Sequence, residues 1–316
     1  MKHNVKITII ILVMFLLTQF IGLYVVNSYA SQKVIDGQIV NNTGKILPYG
    51  MGIQEEDQNF DLTSTLFSLL FSLIIAISLI FFLIKIKAKF IMRTWFFVVS
   101  TIALGISFTA FLPSIKYASW IGLAIALPFA IGKIYKREIV THNLTELFIY
   151  PGIAAVFVPI LQIFSIIILL FVISIYDMWA VWKSKIMQKM AKFQMEEVNV
   201  FGGFFIPYAS KKVKNKIKEL KIKFSSKKKL QKEFEKSKLK ISLAILGGGD
   251  IVFPIIASGV VLKVWGIIPA LIVTLGAFLG LMGLLIFSEK KKMYPAMPFI
   301  TAGIFLGMLI SWIFII

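Results

Sequence analysis

Apolar residues run along this chain in long blocks, with the polar residues gathered between them. Nine blocks stand out, at roughly 7–30, 62–84, 94–113, 117–135, 140–158, 160–182, 240–262, 266–287 and 295–315. Each approaches the length of about 20 residues that an α-helix, rising 1.5 Å per residue, needs to cross a bilayer. The pattern predicts an all-α polytopic membrane protein with nine transmembrane helices. It also divides the chain into spans 1–6 over 1–182, a polar segment over 183–239, and spans 7–9 over 240–316. No repeat of 20–50 residues is visible in the sequence. The first block follows a basic start (Lys2, Lys6), and Ser28-Tyr29-Ala30 resembles a small-residue cleavage site. Its apolar run exceeds the usual signal-peptide core of about 7–15 residues, so a retained helix is expected.

The positions of Lys and Arg give the sidedness. One set of loops carries Lys2 and Lys6, then Lys85, Lys87, Lys89 and Arg93, then Lys133, Lys136 and Arg137, then the 183–240 segment, then Lys290, Lys291 and Lys292. The alternate loops carry only Lys33, Lys45, Lys116 and Lys263, beside Asp36, Glu55, Glu56, Asp57 and Asp61. Basic loops mark the cytoplasmic side. The alternation is in phase with nine spans and places the N-terminus in the cytoplasm and the C-terminus outside. Residues 183–240 hold 18 Lys against 5 Glu, a net of +13 out of +19 for the chain. Val213, Ile217, Leu220 and Phe224 recur there at helical spacing, which predicts an amphipathic helix on anionic membrane lipids. Nucleic acid is not expected as a partner, because the segment has Lys without Arg and few aromatics to stack bases.

Composition sharpens the class. The chain of 316 residues is 58% hydrophobic and 16% charged, whereas soluble domains are about half apolar and about a quarter charged. Cys is absent and His occurs twice, at His3 and His142, which excludes thiolate chemistry and multi-His metal sites. Acids are the scarce resource. Of 15, 13 fall in loops or near span ends, with Glu146 a turn or two inside the fifth span. Asp177 and Asp250 are instead flanked by apolar residues on both sides. A carboxylate at mid-bilayer costs about 2.5–3.5 kcal/mol on insertion scales and normally has a function. Neither span centre offers a Lys or Arg, so each Asp is the other's simplest partner. Asp177 lies six residues from Lys183, about 9 Å along a helix, and Asp250 ten from Lys240, about 15 Å. Both therefore approach from the cytoplasmic side. Two carboxyls a few ångströms apart cannot both ionise, and such a pair holds one proton between them. That is what acid/base hydrolysis of a peptide bond needs, and it requires no metal or organic cofactor.

The surroundings support the reading. Asp250 follows three glycines, Gly247-Gly248-Gly249, each about 1 kcal/mol worse than Ala in a helix and each open to close backbone approach. Pro254 then removes the N–H that the Asp250 carbonyl would accept, so a bent or opened helix is expected beside the carboxyl. Pro295-Ala296-Met297-Pro298 starts the last span with two prolines, an arrangement that exposes backbone groups able to pair with an extended substrate.

At these residues the sequence resembles the presenilin and signal peptide peptidase group of intramembrane aspartyl proteases, and most of all its single-chain archaeal homologues. Tyr176-Asp177 in span 6 matches that group's Tyr-Asp pair. Gly247, Gly249 and Asp250 in span 7 match its Gly-x-Gly-Asp motif, with Gly248 at the variable position. Pro295-Ala296-Met297 matches its Pro-Ala-Leu, with Met for Leu, a near-isosteric apolar exchange. The resemblance implies that Asp177 and Asp250 are the catalytic dyad. It implies that Tyr176, Gly247, Gly249, Pro295, Ala296 and Met297 surround the substrate, and that transmembrane-helix peptides are the substrates. An N-terminus in the cytoplasm is presenilin-like, which by the same analogy favours single-span substrates with an outside N-terminus. A reading from a different class is a transporter or cation leak pathway with the two Asp as a proton relay.

Overall fold

The apolar blocks fold as helices. The computed structural model describes residues 5–30, 32–35, 38–41, 44–51, 62–86, 88–136, 138–184, 194, 200–208, 242–288 and 294–315. Among these, nine α-helices follow in order: α1 (Val5–Tyr29), α2 (Leu62–Lys85), α3 (Lys89–Phe111), α4 (Ala118–Ile131), α5 (Ile139–Phe157), α6 (Ile163–Trp179), α7 (Gly249–Trp265), α8 (Ile267–Phe287) and α9 (Met297–Phe314). Single π-turns, Gly132–Lys136 and Ala180–Ser184, extend α4 and α6. By length and composition, six of the helices can cross a membrane on the described residues: α1, α3, α4 with its π-turn, α6 with its π-turn, α8 and α9. The expected surface helix around 213–224 lies outside the described residues.

Two antiparallel hairpins correct the all-α expectation. Strands β1 (Gln32–Ile35) and β2 (Gln38–Asn41) pair with each other. Strands β3 (Gly203–Tyr208) and β4 (Ser242–Gly247) pair in the register Gly203 to Gly247, Phe205 to Ile245 and Tyr208 to Ser242. β3 thus lies within the basic 183–239 segment, and β4 occupies what was expected as the first turns of the seventh span. The reason is local. Ala244 and Leu246 are buried while Ile245 between them is exposed, the period-two alternation of a strand. The three glycines that follow are poor helix formers and delay α7 until Gly249. Pro254 does not open this helix, which runs through it to Trp265. The backbone there is steadied from α1, where the buried Gln19 Nε2 donates to the Ile251 carbonyl at 3.1 Å.

The main core joins α1, α5, α6, α7, α8, α9 and the β3–β4 hairpin, with Phe15, Leu170, Ile255, Ile300 and Phe204 all fully buried. α8 and α9 approach most closely through Gly276 and Gly280 against Gly303 and Gly307, a small-residue face at spacing four on each helix. A Cβ at Gly276 would run into the Gly303 carbonyl, and one at Gly303 into the Gly276 carbonyl. Gly303→Val therefore pushes the two backbones apart. Its expected cost is about 1–3 kcal/mol or more, read as a lowered thermal midpoint of the purified protein, and an unchanged midpoint refutes the contact.

Basic side chains outside the hydrophobic centre act as caps. Lys45 Nζ donates to the carbonyls of Thr109 (3.0 Å) and Ala110 (2.7 Å) and to that of Leu112, at the C-terminal end of α3. Lys263 Nζ does the same for Pro159 (3.0 Å) and Leu161 (3.1 Å) in the turn between α5 and α6. Both positions suit a cation, since helix ends leave carbonyls unpaired there.

Candidate active site

Asp177 lies two residues before the end of α6 and is buried. Its Oδ2 accepts the Met297 N–H at 3.1 Å. This donor comes from the start of α9, where the first N–H groups of a helix have no partner within it. Pro298 sits in that first turn, a position where proline is tolerated because its missing N–H is not needed. One turn away the α6–α9 contact is repeated by Ser174 Oγ, which donates to Thr301 Oγ1 at 2.8 Å. The Met297 N–H, expected to lie open to substrate, is thus engaged by Asp177.

Asp250 is half-buried in the first turn of α7. Its carboxyl lies beside Gly247, where a Cβ would stand 3.2 Å from Oδ2, and within electrostatic reach of Asp177. The carboxyl sits at the positive end of the α7 dipole. Its depth is not that of a residue ten positions into a helix, because the chain before it is strand β4 and a glycine turn. Two helix N-termini, those of α7 and α9, therefore converge on the two carboxyls from different parts of the chain.

The other motif residues are near this centre with different exposures. Pro295 and Met297 are buried and Ala296 is half-buried. Gly247 closes β4 and Gly249 opens α7, exposed. Tyr176 lies on the outer surface of α6 with its ring beside Trp179, centroids 6.2 Å apart. Among the described residues no group of His, Asp and Glu could hold a metal ion.

A second set of residues was not identified from the sequence as part of the site. α5 presents His142, Asn143, Glu146 and Tyr150 on one face, and this face holds the hairpin that leads to Asp250. Asn143 pairs with Phe205 of β3 as a strand would: its Nδ2 donates to the Phe205 carbonyl at 2.7 Å, and its Oδ1 accepts the Phe205 N–H at 2.9 Å. His142 Nε2 bonds the Gly203 carbonyl at 2.8 Å, which makes that nitrogen the donor. Glu146 is fully buried and paired with Lys133 Nζ at 2.6 Å. Lys133 is therefore an interior charge, not one of the free loop charges that mark sidedness. The available signal was the spacing 142, 143, 146, 150, which puts four polar groups on one side of an apolar helix.

Two acidic side chains within electrostatic reach of one another inside a helical bundle are the arrangement an aspartyl hydrolase of the membrane interior needs. The sequence model of the family described as signal-peptide peptidase, presenilin aspartyl protease matches residues 46–316. The chain belongs to that family and is an integral membrane protein, an intramembrane aspartyl protease acting as an aspartic endopeptidase on membrane-embedded substrates. The fold is similar to two solved structures of a presenilin family intramembrane aspartate protease. One, in space group C222, has a TM-score of 0.55 at 16% identity and covers 95% of this chain and 94% of that one. The other, in P2, has a TM-score of 0.57 at 17% identity and covers 96% of each. A search of curated proteins finds no match. The transporter reading gains no support from these comparisons.

Proposed function

We propose that Asp177 and Asp250 are the catalytic dyad and share one proton. The ionised carboxyl takes a proton from a bound water as its oxygen attacks the peptide carbonyl carbon. The other carboxyl gives its proton to the carbonyl oxygen, and a tetrahedral diol forms. The diol collapses as a hydroxyl proton returns to the dyad and the nitrogen leaves protonated, and the C–N bond breaks. The single observation that carries this reading is that the packing of α6, α7 and α9 brings the two carboxyls within electrostatic reach of one another. Each Asp belongs to one side of the basic segment 183–239, which joins spans 1–6 to spans 7–9.

The substrates are transmembrane helices of single-span proteins or signal peptides. Tyr176, Gly247, Gly249, Pro295, Ala296 and Met297 surround the scissile segment beside the dyad. The helices α2, α5 and α7 complete a count of nine spans, with the N-terminus in the cytoplasm and the C-terminus outside. α5 enters the count despite its polar face, because that face is turned toward the hairpin and the Lys133–Glu146 pair.

The test is direct. Purified protein mixed with a single-span substrate in lipid should release two fragments whose masses place the cut inside the apolar segment. A non-hydrolysable hydroxyl-bearing mimic of the diol should block it. Cleavage confined to the water-exposed flanks, or insensitivity to the mimic, refutes the proposal.

A further inference from the structure

Proposed hydrolysis makes no use of the polar face of α5, yet that face stands directly behind the turn carrying Asp250. Tyr150 is its nearest element. The residue is buried, and its ring meets Phe204 of β3 edge-on, centroids 6.2 Å apart and planes at 87°. Its hydroxyl end rests against Gly248. A Cβ added at Gly248 would stand 2.8 Å from Tyr150 Oη and 2.9 Å from Cε1, closer than real Cβ atoms approach. Gly248 has φ −64° and ψ −33°, a conformation open to any residue. Glycine at this variable position of the motif therefore answers a need for space, and the neighbour that takes the space is Tyr150.

The contact falls where the hairpin closes. The Gly248 N–H donates to the Gly202 carbonyl at 3.2 Å, and a Cβ at Gly202 would lie 4.0 Å from the same hydroxyl. The phenol thus abuts the last rung of the β3–β4 ladder, two residues before Asp250. It lies within electrostatic reach of both Asp250 and Glu146. Tyr150 Oη and Glu146 Oε2 are both buried without a hydrogen-bond partner among the described residues. Glu146 is itself fixed by Lys133. The side-chain direction of a residue in the first turn of a helix follows from the backbone just before it, and a carboxyl in acid/base catalysis tolerates little displacement.

We propose that Tyr150 is a positioning residue for Asp250, acting through Gly248, with the Lys133–Glu146 pair as its fixed support. The inference rests on the proposed dyad. Its test uses the full-length protein in lipid and a single-span substrate. Tyr150→Phe removes only the hydroxyl and is expected to lower kcat about 10-fold with KM within about twofold and the thermal midpoint nearly unchanged. Gly248→Ala is expected to lower kcat about 100-fold. Combining it with Tyr150→Leu, which vacates the space for the new methyl group, should recover at least about 10-fold of that loss.

Wild-type kcat in Tyr150→Phe, a loss confined to KM, or a double variant no faster than Gly248→Ala overturns the assignment. If Gly248→Ala fails to fold, the kcat of Tyr150→Phe decides alone. Asp250→Asn separates the two readings. Normal cleavage by that variant sinks the dyad itself. An inactive Asp250→Asn beside a fully active Tyr150→Phe sinks only the positioning role.

Discussion

Asp177→Asn and Asp250→Asn, made singly, should each lower kcat by at least about 10³-fold. Asparagine is nearly the same size as aspartate and keeps one carbonyl oxygen. At position 177 that oxygen can still accept the Met297 N–H now bonded to Oδ2 at 3.1 Å. At position 250 it can still face the Gly247 backbone in the first turn of α7. The fold is therefore expected to survive both changes, with thermal midpoints close to that of the parent. The amide cannot take a proton from water and cannot supply one to a carbonyl oxygen, so either change removes both functions of the pair. The double variant should be no slower than the singles, because groups that act as a unit lose their effect once. The rate of fragment release measures this. Either single variant retaining more than about a tenth of the parental kcat excludes a shared-proton dyad.

Lys133→Met is expected to be the most damaging substitution away from the dyad. It leaves the Glu146 carboxylate, fully buried, without the ammonium now 2.6 Å away. Breaking one side of a buried ion pair typically costs about 3–5 kcal/mol. His142 does not replace the lysine. Its Nε2 is 3.5 Å from Glu146 Oε1 and is already committed to the Gly203 carbonyl at 2.8 Å. The double variant Lys133→Met, Glu146→Leu removes both charges and should recover most of the loss, since well-packed apolar replacements of buried pairs are often neutral or better. Thermal unfolding of the three proteins compares them directly. A single variant as stable as the parent would mean that Glu146 reaches water, contrary to its burial. The result also bears on sidedness, because Lys133 is then held inward by Glu146 and adds nothing to the count of cytoplasmic charges.

Much of the architecture is legible in one dimension. The block at 62–84 becomes α2 over Leu62–Lys85, and that at 266–287 becomes α8 over Ile267–Phe287. Length and continuity of apolar residues decide such elements with little help from their neighbours. The block at 240–262 misleads for an identifiable reason. An apolar run of six residues fits a strand as well as a helix by composition. Here pairing with residues 203–208, from the basic segment before it, settles the matter. That partner is about 40 positions away along the chain, so no local pattern could name it.

The sequence by itself determined that this is a helical membrane protein and singled out two carboxyls in apolar surroundings, because an acid in a bilayer is too costly to be incidental. It also supplied the motif residues around them. Tertiary structure decided how the carboxyls are held. Asp177 is fixed by the start of α9, 120 residues later in the chain. Asp250 is set by a hairpin clamped to α5 through Asn143 and Tyr150. These are contacts between backbone groups and distant side chains. They depend on which helix ends meet, and only the packing of the whole bundle brings those ends together.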